Sequence, residues 1–253
     1  MKLAAQLYTI RQYTQNPEDI KVSLGKIKNI GYNAVQVSGF GKIDPHLLKE
    51  YIDEYELEIC VTHTPFERIV EDTANVISEH KLWNCKYIGL GSMPSQYRNT
   101  KEGCDEFLRL ILPAAEKIYD SGLKFMYHNH RFEFAKIDGA LTAIEYMAEK
   151  TQPEKFGFLA DFYWVQAGGA SPEHFIKTYA DRIDIVHFKD MAVADDKIIM
   201  AEIFEGNMDY DSIYAECLKN NVKWVAIEQD VCPADPFDSL KISFDNIKAR
   251  NMF

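Results

Sequence analysis

The sequence predicts a single (β/α)8 TIM barrel with eight parallel strands, and three observations carry that expectation. The chain has 253 residues, a length at which one α/β barrel of about 250 residues is common. Short runs of β-branched and aromatic residues recur along it, and between nearly all of them lie longer segments with apolar residues at i, i+3, i+4 and i+7. No Pro/Ser-rich linker or charge block divides the chain, so residues 1–253 are expected to form one domain. An open doubly wound sheet also accommodates eight strands and is the competing arrangement.

The strands are expected at 2–8, 34–37, 58–62, 87–90, 124–128, 156–161, 183–187 and 224–228. Each is a short apolar run of strand length, and several end in a polar residue. The helices are expected at 17–30, 45–55, 66–82, 101–120, 140–150, 172–179, 210–219 and 236–250. Several open on a proline or on an Asp, Ser or Thr cap. Gly31, Gly122 and Asn220 follow helices where a left-handed cap fits.

Composition narrows the function. Hydrophobic residues make up 47% and charged residues 26%, which suits a chain able to bury a large core. A formal charge of −11 repels phosphate backbones and anionic membranes, so nucleic acid is not an expected partner. The amino-terminal MKLAAQLYTIRQ is broken by Gln6 and Arg11 and fits neither a signal peptide nor a membrane span. The five cysteines, Cys60, Cys85, Cys104, Cys217 and Cys232, are widely spaced and contain no CxxC pair. They read as reduced thiols in a cytoplasmic protein, with Cys60 a small core residue.

In a barrel of this kind the chemistry gathers where the strands end, because the βα loops converge there on one mouth. Asp161, His187 and Glu228 each close an apolar run (FGFLAD, IDIVH and WVAIE). Three neighbouring strand ends thus offer an O,N,O ligand set. Such a set suits Mn²⁺ first, with Mg²⁺, Co²⁺ or Zn²⁺ as alternatives, and the absence of thiolates argues against a purely structural zinc. The competing reading is that the two acids form structural salt bridges with Lys189, Arg131 or Arg182. The fifth strand end, YHNHRFEF, supplies His128, His130 and Glu133, and either His128 or Glu133 completes the ligand set. His130 and Asn129 read equally well as hydrogen-bonded loop residues.

These segments resemble the xylose-isomerase-like, sugar phosphate isomerase/epimerase TIM-barrel superfamily. The opening AAQLYTIR, the central YHNHRFEF, ADFYWVQAGG, VHFKD, FEGNMDY and the closing AIEQD occur in that family's order over essentially the whole chain. The resemblance implies a divalent ion held by residues of strands five to eight, usually Glu, Asp, His and Glu. The last three fall on Asp161, His187 and Glu228. The first does not carry over cleanly: His128 stands where many members have a glutamate, with Glu133 five residues later, as in the branch with the HNH run.

The implied chemistry is proton removal next to a carbonyl through an enediolate, as in a sugar isomerase or epimerase. A lyase or dehydratase acting on a keto sugar, inosose or 3-keto-glycoside shares the first step. A non-catalytic sugar-binding barrel, or a subunit of a larger assembly, is the third reading. An abasic-site endonuclease of the same fold needs more histidines and a basic face. Glu228 is the expected ligand and base, with Glu133 or His128 opposite it, and Lys189 either polarises a substrate oxygen or clamps Asp161 or Glu228 from behind. Gln6, Tyr8, Arg11, His63, His130, Trp164 and Glu205 are the expected substrate-binding residues. The loop after strand eight, DVCPADP, has no cationic or Gly-rich phosphate cradle, which favours a neutral sugar over a sugar phosphate. A homo-oligomer is expected from the family.

Overall fold

The computed structural model describes residues 1–253. Eight parallel strands close into a barrel: β1 (Lys2–Gln6), β2 (Ala34–Val37), β3 (Glu58–His63), β4 (Tyr87–Leu90), β5 (Lys124–His128), β6 (Phe156–Asp161), β7 (Ile183–Phe188) and, after a separate hairpin of β8 (Asp190–Ala194) and β9 (Lys197–Ala201), β10 (Trp224–Ile227). β1 pairs with both β2 and β10, so no barrel edge is left open. The competing open sheet is thereby ruled out.

The surrounding helices are α1 (Pro17–Ile30), α2 (Pro45–Glu54), α3 (Phe66–Glu71), α4 (Thr73–Leu82), α5 (Lys101–Asp120), α6 (Ala143–Lys150), α7 (Phe162–Ala167), α8 (Pro172–Thr178), α9 (Tyr210–Lys219) and α10 (Pro236–Ala249). Their starts follow local chemistry. Asn16 caps α1, Asp44 caps α2 and Thr100 caps α5 through their side chains, while Pro17 and Pro45 fill first-turn positions where no N–H is needed. None of the helices is long and apolar enough to cross a membrane.

Several boundaries differ from the expected ones. The first strand stops at Gln6, and Leu7–Tyr13 winds into a 3-10 segment because the Gln6 side chain accepts the Tyr8 N–H. Tyr8 and Arg11 therefore sit on that segment. The helix expected over 66–82 is broken at Asp72 into α3 and α4. The left-handed residue after α9 is Asn221 (φ 57°), one beyond the expected Asn220. The β8–β9 hairpin was not anticipated. Its turn places Asp195 and Asp196 at φ 49° and 60°, the backbone of a tight primed hairpin turn.

Two apolar layers hold the barrel. The larger lies between strands and helices and includes Phe107, Phe125, Phe156, Phe158 and Ile185's neighbour Val186. The smaller fills the barrel interior with Ala4, Ala34, Cys60, Met126, Leu159, Ile185 and Ala226. Side chains two residues apart on a strand share a face. One step toward the mouth from these inward residues, six of the eight strands therefore place Gln6, Gln36, His128, Asp161, His187 and Glu228 on the inward side. The apolar plug becomes the floor under a polar layer.

Candidate metal centre

Four of those inward residues converge. His128, Asp161, His187 and Glu228 each offer one ligand atom, and these atoms all lie within 4.8 Å of one another. Nδ1 of His187 stands 3.0 Å from Oε2 of Glu228 and 3.5 Å from Oδ2 of Asp161, while Nε2 of His128 stands 3.4 Å from the same Asp161 oxygen. All four residues are buried.

Each side chain is fixed from outside the cluster. Asp161 divides its carboxylate: Oδ1 accepts the Trp164 N–H and caps α7, which leaves Oδ2 toward the imidazoles. Asn129 braces the Asp161 backbone, accepting its N–H at 2.9 Å and donating to its carbonyl at 3.3 Å. Nδ1 of His128 donates to the Gly91 carbonyl at 2.9 Å, so Nε2 presents its lone pair to the cluster. Gly91 has no room for a side chain, since a Cβ there would lie 2.9 Å from Nδ1 of His63. Nε2 of His187 lies 2.7 Å from Oε1 of Gln36.

Lys189, two residues beyond His187 on the same inward face, brings a fully buried ammonium into the group. Its Nζ contacts Asp161 at 2.9 Å, Glu228 at 2.8 Å and Asp230 at 2.6 Å. The salt-bridge reading of the two acids is therefore true in part, with Lys189 as the partner; Arg182 instead bonds Thr151 and the Ala148 carbonyl. Three carboxylates thus surround one ammonium. Burial disfavours ionised Asp161 and Glu228, yet the Lys189 charge, with the adjacent imidazoles, holds both well below the usual carboxylate range. Burial would likewise depress His187, but Glu228 and Asp161 outweigh it and hold the imidazole up at about 9.

The residues present fit a divalent cation. Nδ1 of His187 and Oε2 of Glu228 face each other at 3.0 Å without proper hydrogen-bond geometry, and that oxygen otherwise meets only the Lys189 ammonium. The donor set is two imidazole nitrogens and two carboxylates, and both imidazoles have their outer nitrogen engaged with an oxygen.

The other expected site residues divide. A cavity of about 440 Å³ opens beside the cluster, lined by Tyr8, Ser38, His63, His130, Glu228 and Asp230 among others, with no lysine or arginine in its wall. His63 packs against His128 and His187 with ring centroids 5.0 and 5.8 Å apart, and burial holds its imidazole neutral. Burial likewise pushes His130 down to about 3. Trp164 lies over the Lys189 ammonium at 5.2 Å and near His130. Gln6 is buried beneath the mouth. Arg11 stacks on Tyr8 and donates to the Asp230 carbonyl, bracing the loop after β10.

Two expected residues lie elsewhere. The chain turns after His130 into a one-turn 3-10 helix, Phe132–Phe134, which swings Glu133 away from the cluster. Its carboxylate instead accepts the Tyr127 hydroxyl at 2.6 Å and the His130 N–H at 2.9 Å. His128 accordingly takes the fourth position. Glu205 is exposed and accepts from the Asn246 side chain on α10, away from the cluster. Sequence reasoning gave no role to Gln36, Gly91, Ser38 or Asp230. For Gln36 a signal was present, a lone amide inside the buried run AVQV.

The sequence profile of the xylose isomerase-like TIM barrel family matches residues 24–241. The chain belongs to this family. Among individual relatives, the inosose dehydratase of Geobacillus kaustophilus (strain HTA426) is 23% identical over 264 aligned positions, covering 88% of this chain and 85% of that protein. A sugar phosphate isomerase/epimerase from Parabacteroides distasonis superposes with a TM-score of 0.83 at 20% identity, over 99% of this chain and 94% of the other. A D-allulose 3-epimerase from Methylomonas sp. superposes with a TM-score of 0.74 at 14% identity, over 99% and 98% of the two chains. At these identities the structural matches speak for the fold. Isomerases, epimerases and dehydratases thus share the architecture described above.

Proposed function

We propose that the protein is a divalent-metal-dependent sugar isomerase or epimerase of the cytoplasm that moves a proton next to the carbonyl of a neutral sugar. The observation that carries this reading is the convergence of His128, Asp161, His187 and Glu228, of which His128 and Glu228 line a cavity. These four residues would hold the ion, with Mn²⁺ the first to test. When bound, such an ion supplies a Lewis acid that stabilises negative charge on the substrate oxygen.

The chain's own groups supply the rest. Glu228 is the cluster carboxylate that also lines the cavity, and Lys189 keeps it ionised, so it is available to accept a proton from carbon. Lys189 also pairs with Asp230 on the cavity wall. His63 and His130 face the cavity as neutral imidazoles able to bond sugar hydroxyls. The lack of a lysine or arginine in that wall supports an uncharged substrate rather than a phosphate ester.

A lyase or dehydratase acting on a keto sugar, inosose or 3-keto-glycoside is favoured by one observation, the turning away of Glu133. An epimerase with two opposed glutamates needs a second carboxylate across the substrate. A β-elimination needs a single base at the α-carbon, with the β-oxygen departing after it gains a proton. The dehydratase relative supports this second reading.

Proton NMR in D₂O with Mn²⁺-loaded protein, across ketoses, inosose and 3-keto-glycosides, tests both. Exchange at the carbon next to the carbonyl without loss of an oxygen supports the isomerase or epimerase. Exchange accompanied by elimination supports the lyase. No exchange with any substrate, or equal exchange by Glu228→Gln, contradicts proton transfer at this site.

A further inference from the structure

Gln36 is the one β2 side chain that reaches the metal-ligand cluster. It is buried, and its Oε1 lies 2.7 Å from Nε2 of a histidine 151 residues further along the chain. β2 and β7 are not adjacent in the barrel, so the contact crosses the interior. It is thus a side-chain contact independent of strand pairing.

The orientation of the amide follows from the chemistry of the pair. Nδ1 of His187 faces Glu228 and Asp161, which leaves Nε2 as the nitrogen turned outward. A ligating histidine needs an unprotonated inner nitrogen, so the ring proton belongs on Nε2 and its partner must be an acceptor. Only the oxygen of the Gln36 amide meets that need. The Gln36 Nε2 is consequently turned away, where it is buried without a hydrogen-bond partner. An unpaired buried donor is destabilising, so the chain gives up stability to keep an acceptor at this point. A leucine or methionine would fill the same space in a strand that is otherwise Ala, Val and Val.

We propose that Gln36 is a positioning residue of the metal centre: by accepting from Nε2 of His187 it fixes that ring's tautomer and orientation, and so sets the affinity of the site for a divalent cation. The inference rests on the metal-dependent reading above. It adds a member from the second strand to a centre otherwise built from strands on the opposite side of the barrel. Partners behind a ligating histidine typically change metal affinity 10–100-fold when removed.

Calorimetric titration of metal-free protein with Co²⁺ tests this, with folding checked by circular dichroism. The wild type is expected to bind one ion. Gln36→Met, which keeps the length of the side chain and removes the acceptor, is expected to bind 10–100-fold more weakly. Gln36→Glu, which keeps an oxygen at the same reach, is expected to bind at least as tightly as the wild type. A role in packing alone would not distinguish the variants in this order. A folded Gln36→Met protein with wild-type affinity overturns the proposal and leaves the metal reading intact. If Gln36→Met does not fold, Gln36→Glu decides: retained affinity supports the proposal and a tenfold loss overturns it. Absence of binding by the wild type overturns the metal reading and this proposal with it.

Discussion

The ammonium of Lys189 lies 2.8 Å from Oε2 of Glu228, with both side chains buried in the barrel interior. The two residues lie just past the ends of β7 and β10, which pair directly; Lys189 stands two positions beyond His187, and Glu228 is itself a member of the cluster. The contact links the cluster carboxylate that lines the cavity to the one ammonium of the cluster. It also makes the polar layer depend on a single lysine.

Removing that lysine leaves three carboxylates without their ammonium. Breaking a buried pair by deleting one partner costs roughly 3–5 kcal/mol. Lys189→Met is therefore expected to lower stability by that order in chelator, and by less with Mn²⁺ present, as followed by urea denaturation. Equal stability of variant and wild type in chelator would contradict the assigned role.

Glu133 gives the stability a pH dependence. Burial pushes its carboxyl up to about 7, against the opposing hydrogen bonds from Tyr127 and His130. In the unfolded chain it titrates near 4.5, the ordinary value. Between these values the native state holds the extra proton, so this group's contribution to stability falls as pH rises from about 4.5 to about 7 and is flat above. The change is on the order of 3 kcal/mol. Glu133→Gln is expected to remove this slope in denaturation curves taken across that range. An unchanged slope would place the pH dependence elsewhere.

Asp190 organises the loop after the β8–β9 hairpin. Its carboxylate accepts the backbone N–H groups of Met191, Phe204, Gly206 and Met208 at 2.7 to 3.2 Å. A Cβ on Gly206 would fall 2.4 Å from the same carboxylate, so glycine is needed where the loop closes on it. Asp190→Ala strands several donors at once and is expected to cost about 3 kcal/mol or more. Hydrogen exchange should show the loss concentrated at residues 204–208, and uniform loss across the barrel would contradict a local role.

His63 and Gly91 pack around the cluster. Gly91→Ala drives a methyl group against the His63 ring and displaces the carbonyl that orients His128. The expected result is a fold that survives with metal affinity reduced about tenfold or more, measured by chelator competition. Wild-type affinity in a folded variant would show that the Gly91 carbonyl does not position His128.

What could be read in the sequence follows from where the information is stored. The runs FGFLAD and WVAI are apolar because those strands are buried on both faces, and their bounds are visible for that reason. The β8–β9 hairpin leaves Val193 and Ile198 largely exposed, so it carries no burial pattern to separate it from a loop. Asp161, His187 and Glu228 stand at the ends of legible strands, and spacing alone aims them at one mouth. Glu133 depended on a turn after His130 that spacing does not reveal. Gln36 stood out as a lone amide in AVQV, but its partner across the barrel is recorded by no local pattern. Asp161's double use as helix cap and cluster member was also invisible, because α7 is only six residues long.

The proposal that His128, Asp161, His187 and Glu228 hold a divalent ion can be tested on the protein as purified. Protein purified without chelator or added metal, analysed by inductively coupled plasma mass spectrometry alongside a His187→Ala, Glu228→Gln double variant, tests it most directly. Close to one divalent ion per chain is expected in the wild type, lost in the double variant, with the melting temperature of the wild type falling in chelator. No stoichiometric ion after incubation with Mn²⁺, together with a melting temperature indifferent to chelator, would contradict it.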